Sequence, residues 1–217
     1  MSWFSRFVNS SIGKKFTMGV TGSLLIIYLI IHLAGNLSLY GGEKAFNSYA
    51  GILEIIKPFI RIIEVILTLV FIFHIYNGVK LWIENKIANP KSYAVNARSK
   101  ESSIFSRTMI QSASIIFIFL VVHLSTIWYP YNTTADMNLY KLVTGLFMNP
   151  VYSWFYVFAM ILLGFHLNHG FQSAFQTFGW NHKKYFSFIQ KIGTIYSILT
   201  AAGFASLPIY FLYFFGR

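Results

Sequence analysis

The chain has no cysteine, which excludes disulfide bonds, thiolate metal sites and cysteine-ligated iron–sulfur clusters from its own residues. Charged residues are also scarce, at 11% of the 217 residues, whereas a typical soluble domain carries about 25%. Only 6 residues are acidic, so the formal net charge is +11. In so apolar a chain, basic loops facing the cytoplasm explain this charge better than a nucleic-acid partner does. No nucleic-acid partner is therefore expected.

Apolar residues are abundant. They make up 56% of the chain, and the mean hydropathy is +0.58. A membrane helix needs about 20 consecutive, mostly apolar residues. Five stretches meet this requirement: about Phe16 to Leu39, Pro58 to Ile83, Ile104 to Trp128, Pro150 to Phe178 and Phe188 to Phe215. The sequence therefore predicts an all-α integral membrane protein with five transmembrane helices.

The segments between these spans are short, roughly residues 40–57, 84–103, 129–149 and 179–187, and leave no room for a soluble domain. Residues 1–217 are thus predicted to form a single transmembrane domain. With the N-terminus in the cytoplasm, twelve of the 17 Lys and Arg residues fall on the inner side. The positive-inside rule therefore predicts a cytoplasmic N-terminus.

Histidines are distributed over the spans in a regular way. Four of the six fall one to a span: His32, His74, His123 and His166. The fourth span also carries His169, and the fifth span has none. Ionisable residues inside a membrane are costly and usually functional. A single histidine is often only hydrogen-bonded to a neighbouring helix, but that explanation fits poorly when four spans each carry one.

The depth of each histidine sorts the four into two pairs. At a rise of about 1.5 Å per residue, His32 and His123 lie toward the outer ends of spans that run outward. By the same count His74 and His166 lie toward the inner ends of spans that run inward. The sequence therefore predicts an outer pair, His32 with His123, and an inner pair, His74 with His166.

Each of the two pairs takes its histidines from two different helices. This arrangement suits the iron of a porphyrin, whose two axial ligands approach from opposite faces. Zinc instead prefers three or four ligands converging on one point, often with a thiolate or carboxylate. The histidines here are divided between two depths, and the central part of the membrane has no carboxylate. Two bis-histidine haems, forming an electron path across the bilayer, are therefore expected.

Four stretches resemble the dihaem cytochrome b subunit of succinate dehydrogenase and fumarate reductase: IIHLAGNLSLYGGEKAFNSYAG (30–51), VFIFHIYNGVKLWI (70–83), RTMIQSASIIFIFLVVHL (107–124) and FHLNHGFQSAFQTFGW (165–180). The resemblance implies a single-chain, five-helix anchor in the bacterial cytoplasmic membrane that holds two b haems. His74 and His166 would ligate the inner haem, His32 and His123 the outer one. The partners would be an iron–sulfur subunit, a flavoprotein subunit that carries the succinate or fumarate site, membrane lipid, and a quinone, with menaquinone the usual one.

The family pattern also selects among residues. It places the fourth ligand thirteen residues before Gly179, which is His166. His169, one turn nearer the inner side, would then contact a haem propionate or shape the pocket. It could instead be a helix-packing histidine or itself the ligand. Glu54 stands where the family has an acid that handles the quinone proton, although a solvated loop acid is the alternative.

Two further expectations concern acids near the spans. Arg61 and Glu64, spaced i, i+3, are predicted to form a local ion pair. Some fumarate reductases of this family carry a glutamate two residues before the fourth-span ligand, where this chain has Gly164. The proton path attributed to that glutamate is therefore expected to be absent.

Two other classes of protein remain open at this point. One is a different bis-histidine membrane cytochrome, such as a cytochrome b561-like oxidoreductase or a dihaem hydrogenase anchor, which the identity of the partner subunits would distinguish. The other is a haem-free transporter whose histidines relay protons or bind a transition metal. The optical spectrum of reduced b-type haem would exclude that reading.

Overall fold

A computed structural model describes residues 3–88 and 108–215. Within these two ranges the chain is helical apart from short turns, and no strand occurs in them. Five helical stretches are long and apolar enough to cross a membrane. The prediction of an all-α membrane protein with five spanning helices is confirmed.

The helices are α1 Trp3–Asn9, α2 Ser11–Leu37, α3 Gly42–Ile55, α4 Lys57–Ala88, α5 Met109–His123, α6 Tyr129–Thr133, α7 Leu139–Phe147, α8 Pro150–Thr177 and α9 Lys183–Tyr213. A 3₁₀ turn, Ser38–Gly41, joins α2 to α3. A π-helical turn, Leu124–Trp128, joins α5 to α6, so that these three elements form one span. The predicted start of this span, at Ile104, lies outside the described residues.

Two of the segments predicted as loops contain helices. α3 occupies most of 40–57, and α7 lies within 129–149. Each buries one face, as amphipathic helices do. Phe46 and Ala50 of α3 are buried, as are four residues of α7: Tyr140, Val143, Thr144 and Phe147. Glu54, expected in a loop, therefore lies in the last turn of α3.

α3 and α7 pack against each other at the end of the bundle opposite α1. We call the end that holds α1 the inner end and the end that holds α3 and α7 the outer end. Asn138 connects the two short helices, because its Oδ1 accepts from Asn47 Nδ2 at 3.2 Å and its Nδ2 donates to Glu43 Oε1 at 2.7 Å. The same Oδ1 caps α7 by accepting from the Lys141 backbone N–H at 3.1 Å.

α8 is the central helix of the bundle and packs against α9, α2 and α5. Its start is set by Asn149, whose side chain caps the first turn, followed by Pro150. It ends at Thr177, two residues before Gly179, whose φ of +81° suits glycine, and Trp180 N–H donates to Phe175 O at 2.9 Å. Phe178 and Gly179, near the end of the fourth quoted stretch (165–180), therefore terminate the helix.

The core lies toward the outer end, where α3 and α7 cover α8 and α9. Its most deeply buried large side chains are Leu39, Phe147, Phe204, Leu207 and Phe211. α4 behaves differently. Among the described residues it packs extensively only against α2, and Asn77 is its one buried residue. The apolar side chains on its other faces are exposed, as expected for a helix that contacts lipid.

The close approach of α3 to α2 at Gly35 generates a testable prediction. A Cβ added at Gly35 would lie 2.3 Å from the Tyr49 hydroxyl oxygen, so Gly35→Ala requires the Tyr49 ring, or α3 with it, to move away from α2. We expect this variant to lose about 1–3 kcal/mol of stability. Thermal unfolding in detergent measures the loss. Gly51→Ala is the matched control, since a Cβ at Gly51 meets nothing within 4 Å, and an equal loss there would contradict the packing argument.

Candidate functional site

The four span histidines meet in two pairs. His32 on α2 faces His123, the last residue of α5, with ring centroids 5.9 Å apart and ring planes at 89°. His74 on α4 faces His166 on α8, with centroids 6.2 Å apart and planes at 68°. The structure thus brings together the partners that depth in the sequence predicted. Their role as ligands stays a prediction.

The two pairs lie at different levels of the bundle. His74 contacts Thr21 on α2, and His32 follows eleven residues later on that helix, which corresponds to about 16 Å. His123 lies beside Tyr156 on α8, and His166 follows ten residues later, about 15 Å. Two separate helices therefore give the same spacing between the pairs. It is about half the thickness of the hydrocarbon core of a bilayer.

The helices that supply each pair do not pack closely together. α2 packs extensively against α4 and α8, and α5 packs against α8. Between α2 and α5, and between α4 and α8, no comparable backbone packing exists in the described ranges. The imidazoles therefore reach toward each other across gaps between helices. Such gaps are where helical bundles hold cofactors.

The spacing within each pair fits a metal bonded to both rings. A metal–nitrogen bond of about 2 Å on each side, plus about 1 Å from each ring nitrogen to its centroid, gives about 6 Å between centroids. The measured separations are 5.9 Å and 6.2 Å. No group of three or more His, Asp or Glu side chains suited to a metal occurs among the described residues, so a zinc-type cluster is not built there. The residues present fit two axial ligands on a planar cofactor.

α2 approaches the ring of His74 closely. The Oγ1 of Thr21 lies 3.1 Å from His74 Nδ1. A Cβ at the next residue, Gly22, would lie 3.4 Å from His74 Cε1, so glycine lets the ring sit against the helix. Sequence reasoning did not single out Thr21. A threonine one residue before a small residue in an apolar span carries no signal by itself.

Aromatic side chains surround the outer pair. Tyr28 stacks on His32 with centroids 5.3 Å apart, and Phe204 lies 5.7 Å from the same ring. Phe119 stacks on His123 at 5.6 Å. Asn36 donates to the His32 carbonyl oxygen at 2.8 Å, and its Nδ2 lies 3.4 Å from His32 Nε2. These side chains pack around the two imidazoles.

Two imidazoles have a buried nitrogen with no hydrogen-bond partner. The Nδ1 atoms of His123 and His166 are buried and make no hydrogen bond. Buried polar groups are normally paired, so each such atom calls for an explanation. An imidazole that is fixed through its other nitrogen is one explanation, since ligation then compensates for the unpaired atom.

The helix changes geometry directly after His123. Residues Leu124–Trp128 form a π-helical turn, a rare feature that occurs frequently at functional sites. Thr126 Oγ1 donates to Val122 O at 2.7 Å and lies 3.1 Å from the hydroxyl of Tyr152 on α8. The turn directs Trp128 toward α4. Nothing in the apolar sequence of this span indicated it.

Glu54, the predicted proton-handling residue, lies exposed at the outer end. Its carboxylate pairs with Lys57 Nζ at 2.8 Å and lies near Tyr131. It is therefore placed beside the third span, on the same side of the bundle as the outer histidine pair. Its role in quinone chemistry stays a prediction.

A second carboxylate forms a tighter polar cluster nearby, between α4 and the third span. The predicted Arg61–Glu64 ion pair is confirmed, with Nη1 and Oε2 2.6 Å apart. Glu64 Oε1 also accepts from Trp128 Nε1 at 3.0 Å, and Arg61 Nη2 donates to Asn132 Oδ1 at 2.5 Å. We call these four residues the outer polar cluster. Sequence spacing predicted the pair within α4 but not its link to the next span.

Residues 16–98 match the family model for the succinate dehydrogenase/fumarate reductase transmembrane subunit. The match covers less than half of the chain and shows that this segment is similar to that family. A comparison with curated proteins and one with solved structures each gave no match. Together with the five described helices that are long and apolar enough to cross a membrane, the match supports a multi-pass membrane subunit of a succinate dehydrogenase or fumarate reductase.

The matched segment contains one histidine of each pair, His32 and His74, together with Glu54. The partners His123 and His166 lie beyond it. Their placement opposite the matched histidines comes from the structure itself, through the ring contacts of 5.9 Å and 6.2 Å.

Two residues of α8 near His166 also have definite positions. His169 lies one turn nearer the inner end and is half-buried. Gly164, which replaces a glutamate found in some members of the family, faces α9. A Cβ there would lie 3.0 Å from Ala201 Cβ and 3.6 Å from the Ser197 carbonyl oxygen. A glutamate at this position would collide with α9, which explains the glycine.

The outer polar cluster generates a second prediction. Glu64→Ala leaves the Arg61 guanidinium and the Trp128 indole N–H without their carboxylate, and we expect a loss of about 1 kcal/mol of stability. Glu54→Ala, which breaks an exposed pair with Lys57, should change the unfolding temperature little. Thermal unfolding of both variants in detergent is the measurement. Equal effects would show that the cluster does not join α4 to the third span.

Proposed function

We propose that the chain is the dihaem cytochrome b anchor of a succinate:quinone oxidoreductase. It would carry electrons between an iron–sulfur subunit on the cytoplasmic side and a quinone in the bilayer, with menaquinone the expected substrate. The observation that supports this most strongly is the presence of two imidazole pairs at two levels of the bundle. One cofactor toward each end provides a route across the membrane.

The four histidines are the proposed ligands. His74 and His166 would hold the inner haem b, and His32 and His123 the outer one. A haem b held in this way supplies reversible one-electron transfer. The protein orients the two imidazoles of each pair and packs aromatic side chains around the outer pair. Its own residues thereby set the environment in which the electron moves.

The partners follow from the chemistry of the complex. Oxidation of succinate is a two-electron reaction that requires a flavin, so the succinate or fumarate site belongs to a flavoprotein subunit. Single electrons would reach this chain through the iron–sulfur subunit. Lys15, Lys183 and Lys184 lie exposed at the inner end, where the proposed cytoplasmic subunits would dock. The proposed location is the bacterial cytoplasmic membrane.

Glu54 is the proposed proton-handling residue of the quinone reaction. Quinone reduction consumes protons as well as electrons, so an ionisable group that is accessible from water helps the reaction. Glu54 lies at the outer end, exposed, in contact with Lys57 and Tyr131. Its carboxylate can exchange protons with the aqueous phase while remaining near the third span.

The ligand assignment makes a third prediction. His166→Ala removes one of the two axial groups of the inner haem, so the reduced-minus-oxidised spectrum of the purified complex should lose about half of its b-type absorption. His169→Ala is the matched control on the same helix and should keep both haems. Pyridine haemochrome analysis gives the haem count per chain.

The opposite outcome would reassign the ligand. If His169→Ala lost a haem while His166→Ala kept both, His169 would be the axial group. A wild-type protein that stays colourless after expression with ample haem would contradict the proposal and favour a haem-free transporter. Co-purification with a hydrogenase instead of a flavoprotein would point to a different membrane cytochrome.

The role of Glu54 makes a fourth prediction. Glu54→Gln keeps the shape of the side chain but cannot take up a proton, and we expect quinone-coupled succinate turnover to fall about tenfold or more. The haem spectrum should be unchanged. Glu43→Gln, another exposed acid on α3, is the control. Equal turnover in the two variants would show that Glu54 is an ordinary surface acid.

A further inference from the structure

Thr21 has a contact that the proposed function does not use. It lies on α2, is buried with 7% of its surface exposed, and faces the ring of His74 on α4. Its Oγ1 lies 2.8 Å from the Thr17 carbonyl oxygen one turn earlier and 3.1 Å from His74 Nδ1. Its Oγ1 also lies 3.3 Å from the Met18 carbonyl oxygen, so the hydroxyl contacts two acceptors on its own helix and one ring nitrogen on α4.

The hydrogen bonding determines the tautomer of His74. A hydroxyl has one hydrogen, and the carbonyl of Thr17 at 2.8 Å is a good acceptor for it. The Thr21 oxygen is then left with lone pairs only, and we assign the donor role to His74 Nδ1 on this basis. Nδ1 thus carries the proton of the imidazole, and the lone pair of Nε2 is free.

The other three span histidines lack an equivalent contact. The Nδ1 atoms of His123 and His166 are buried without a partner, and His32 Nδ1 lies 3.5 Å from the Tyr28 hydroxyl, the limit of a hydrogen bond. The two pairs therefore differ in how firmly their rings are oriented. Only the inner pair has a member held by a short contact to a hydroxyl.

We propose that Thr21 is a positioning residue for the inner haem, acting through His74. An acceptor on Nδ1–H fixes the orientation of a ligating imidazole and makes its other nitrogen a stronger donor. A stronger donor stabilises ferric over ferrous iron, so Thr21 lowers the midpoint potential of the inner haem. This inference rests on the proposed function, because it requires His74 to be a ligand.

The test compares three variants of the whole complex. Thr21→Val removes the hydroxyl and keeps the branched shape, whereas Thr21→Ser keeps the hydroxyl. Thr17→Val is the matched control, because the Thr17 hydroxyl donates to the Gly13 carbonyl at 2.9 Å on the same helix. A redox titration followed at the absorption of each haem, with electron paramagnetic resonance of the oxidised protein, provides readouts besides turnover.

We expect Thr21→Val to raise the midpoint potential of the inner haem and to change its resonance signal. The outer haem should be unchanged, and Thr21→Ser and Thr17→Val should resemble the wild type. Selective loss of the inner haem in Thr21→Val, with both haems kept in Thr17→Val, would also support the proposal. Should Thr21→Val fail to fold, Thr21→Ala replaces it in the same comparison.

Two outcomes are distinguishable as failures. A complex that holds two haems, in which Thr21→Val and Thr17→Val give the same potentials, overturns the role of Thr21 and leaves the proposed function intact. A wild-type complex without haem overturns the proposed function itself.

Discussion

Burying imidazole rings in an apolar bundle is the constraint on which the rest of this structure depends. Each neutral ring has one donor and one acceptor nitrogen, and the bilayer contains no hydrogen-bond partner for either. Contacts between helices bring the rings together but do not supply all of these hydrogen bonds. His32 and His123 face each other at one level, and His74 and His166 at another. The unpaired Nδ1 atoms that remain are consistent with rings held through their other nitrogen.

The positions of these rings depend on which helices pack together and which remain apart. α8 forms the centre, with α9, α2 and α5 around it, and the glycines at 164, 193 and 203 lie where neighbouring helices approach closely. α3 and α7 close the outer end over a dense aromatic core. The gaps between α2 and α5, and between α4 and α8, are thus supported by a rigid frame. The π-helical turn after His123 then brings the end of the third span to α4.

Much of this could be predicted from the sequence because the relevant signals are periodic or compositional. Long apolar runs predicted the five spans, and the count of residues from each span end predicted which histidines share a level. α3 and α7 were missed because an amphipathic helix at a membrane surface looks like an ordinary loop between two long apolar runs. The contact of Thr21 with His74 and the link from Glu64 to Trp128 join residues 53 and 64 positions apart in the chain. No local pattern encodes such contacts, which arise only when two helices pack in a particular register.

The sparse packing of α4 has a consequence for how the complex is assembled. Between its ends, this helix is attached to α2 along one face and to α8 through the His74–His166 contact. Its termini are held by the Lys14–Glu84 ion pair and the outer polar cluster. A flat prosthetic group inserted between α4 and α8 would give the helix its missing lateral neighbour. Insertion of this group would then complete the tertiary structure of the subunit. Its supply in the cell would determine how much of the chain escapes degradation.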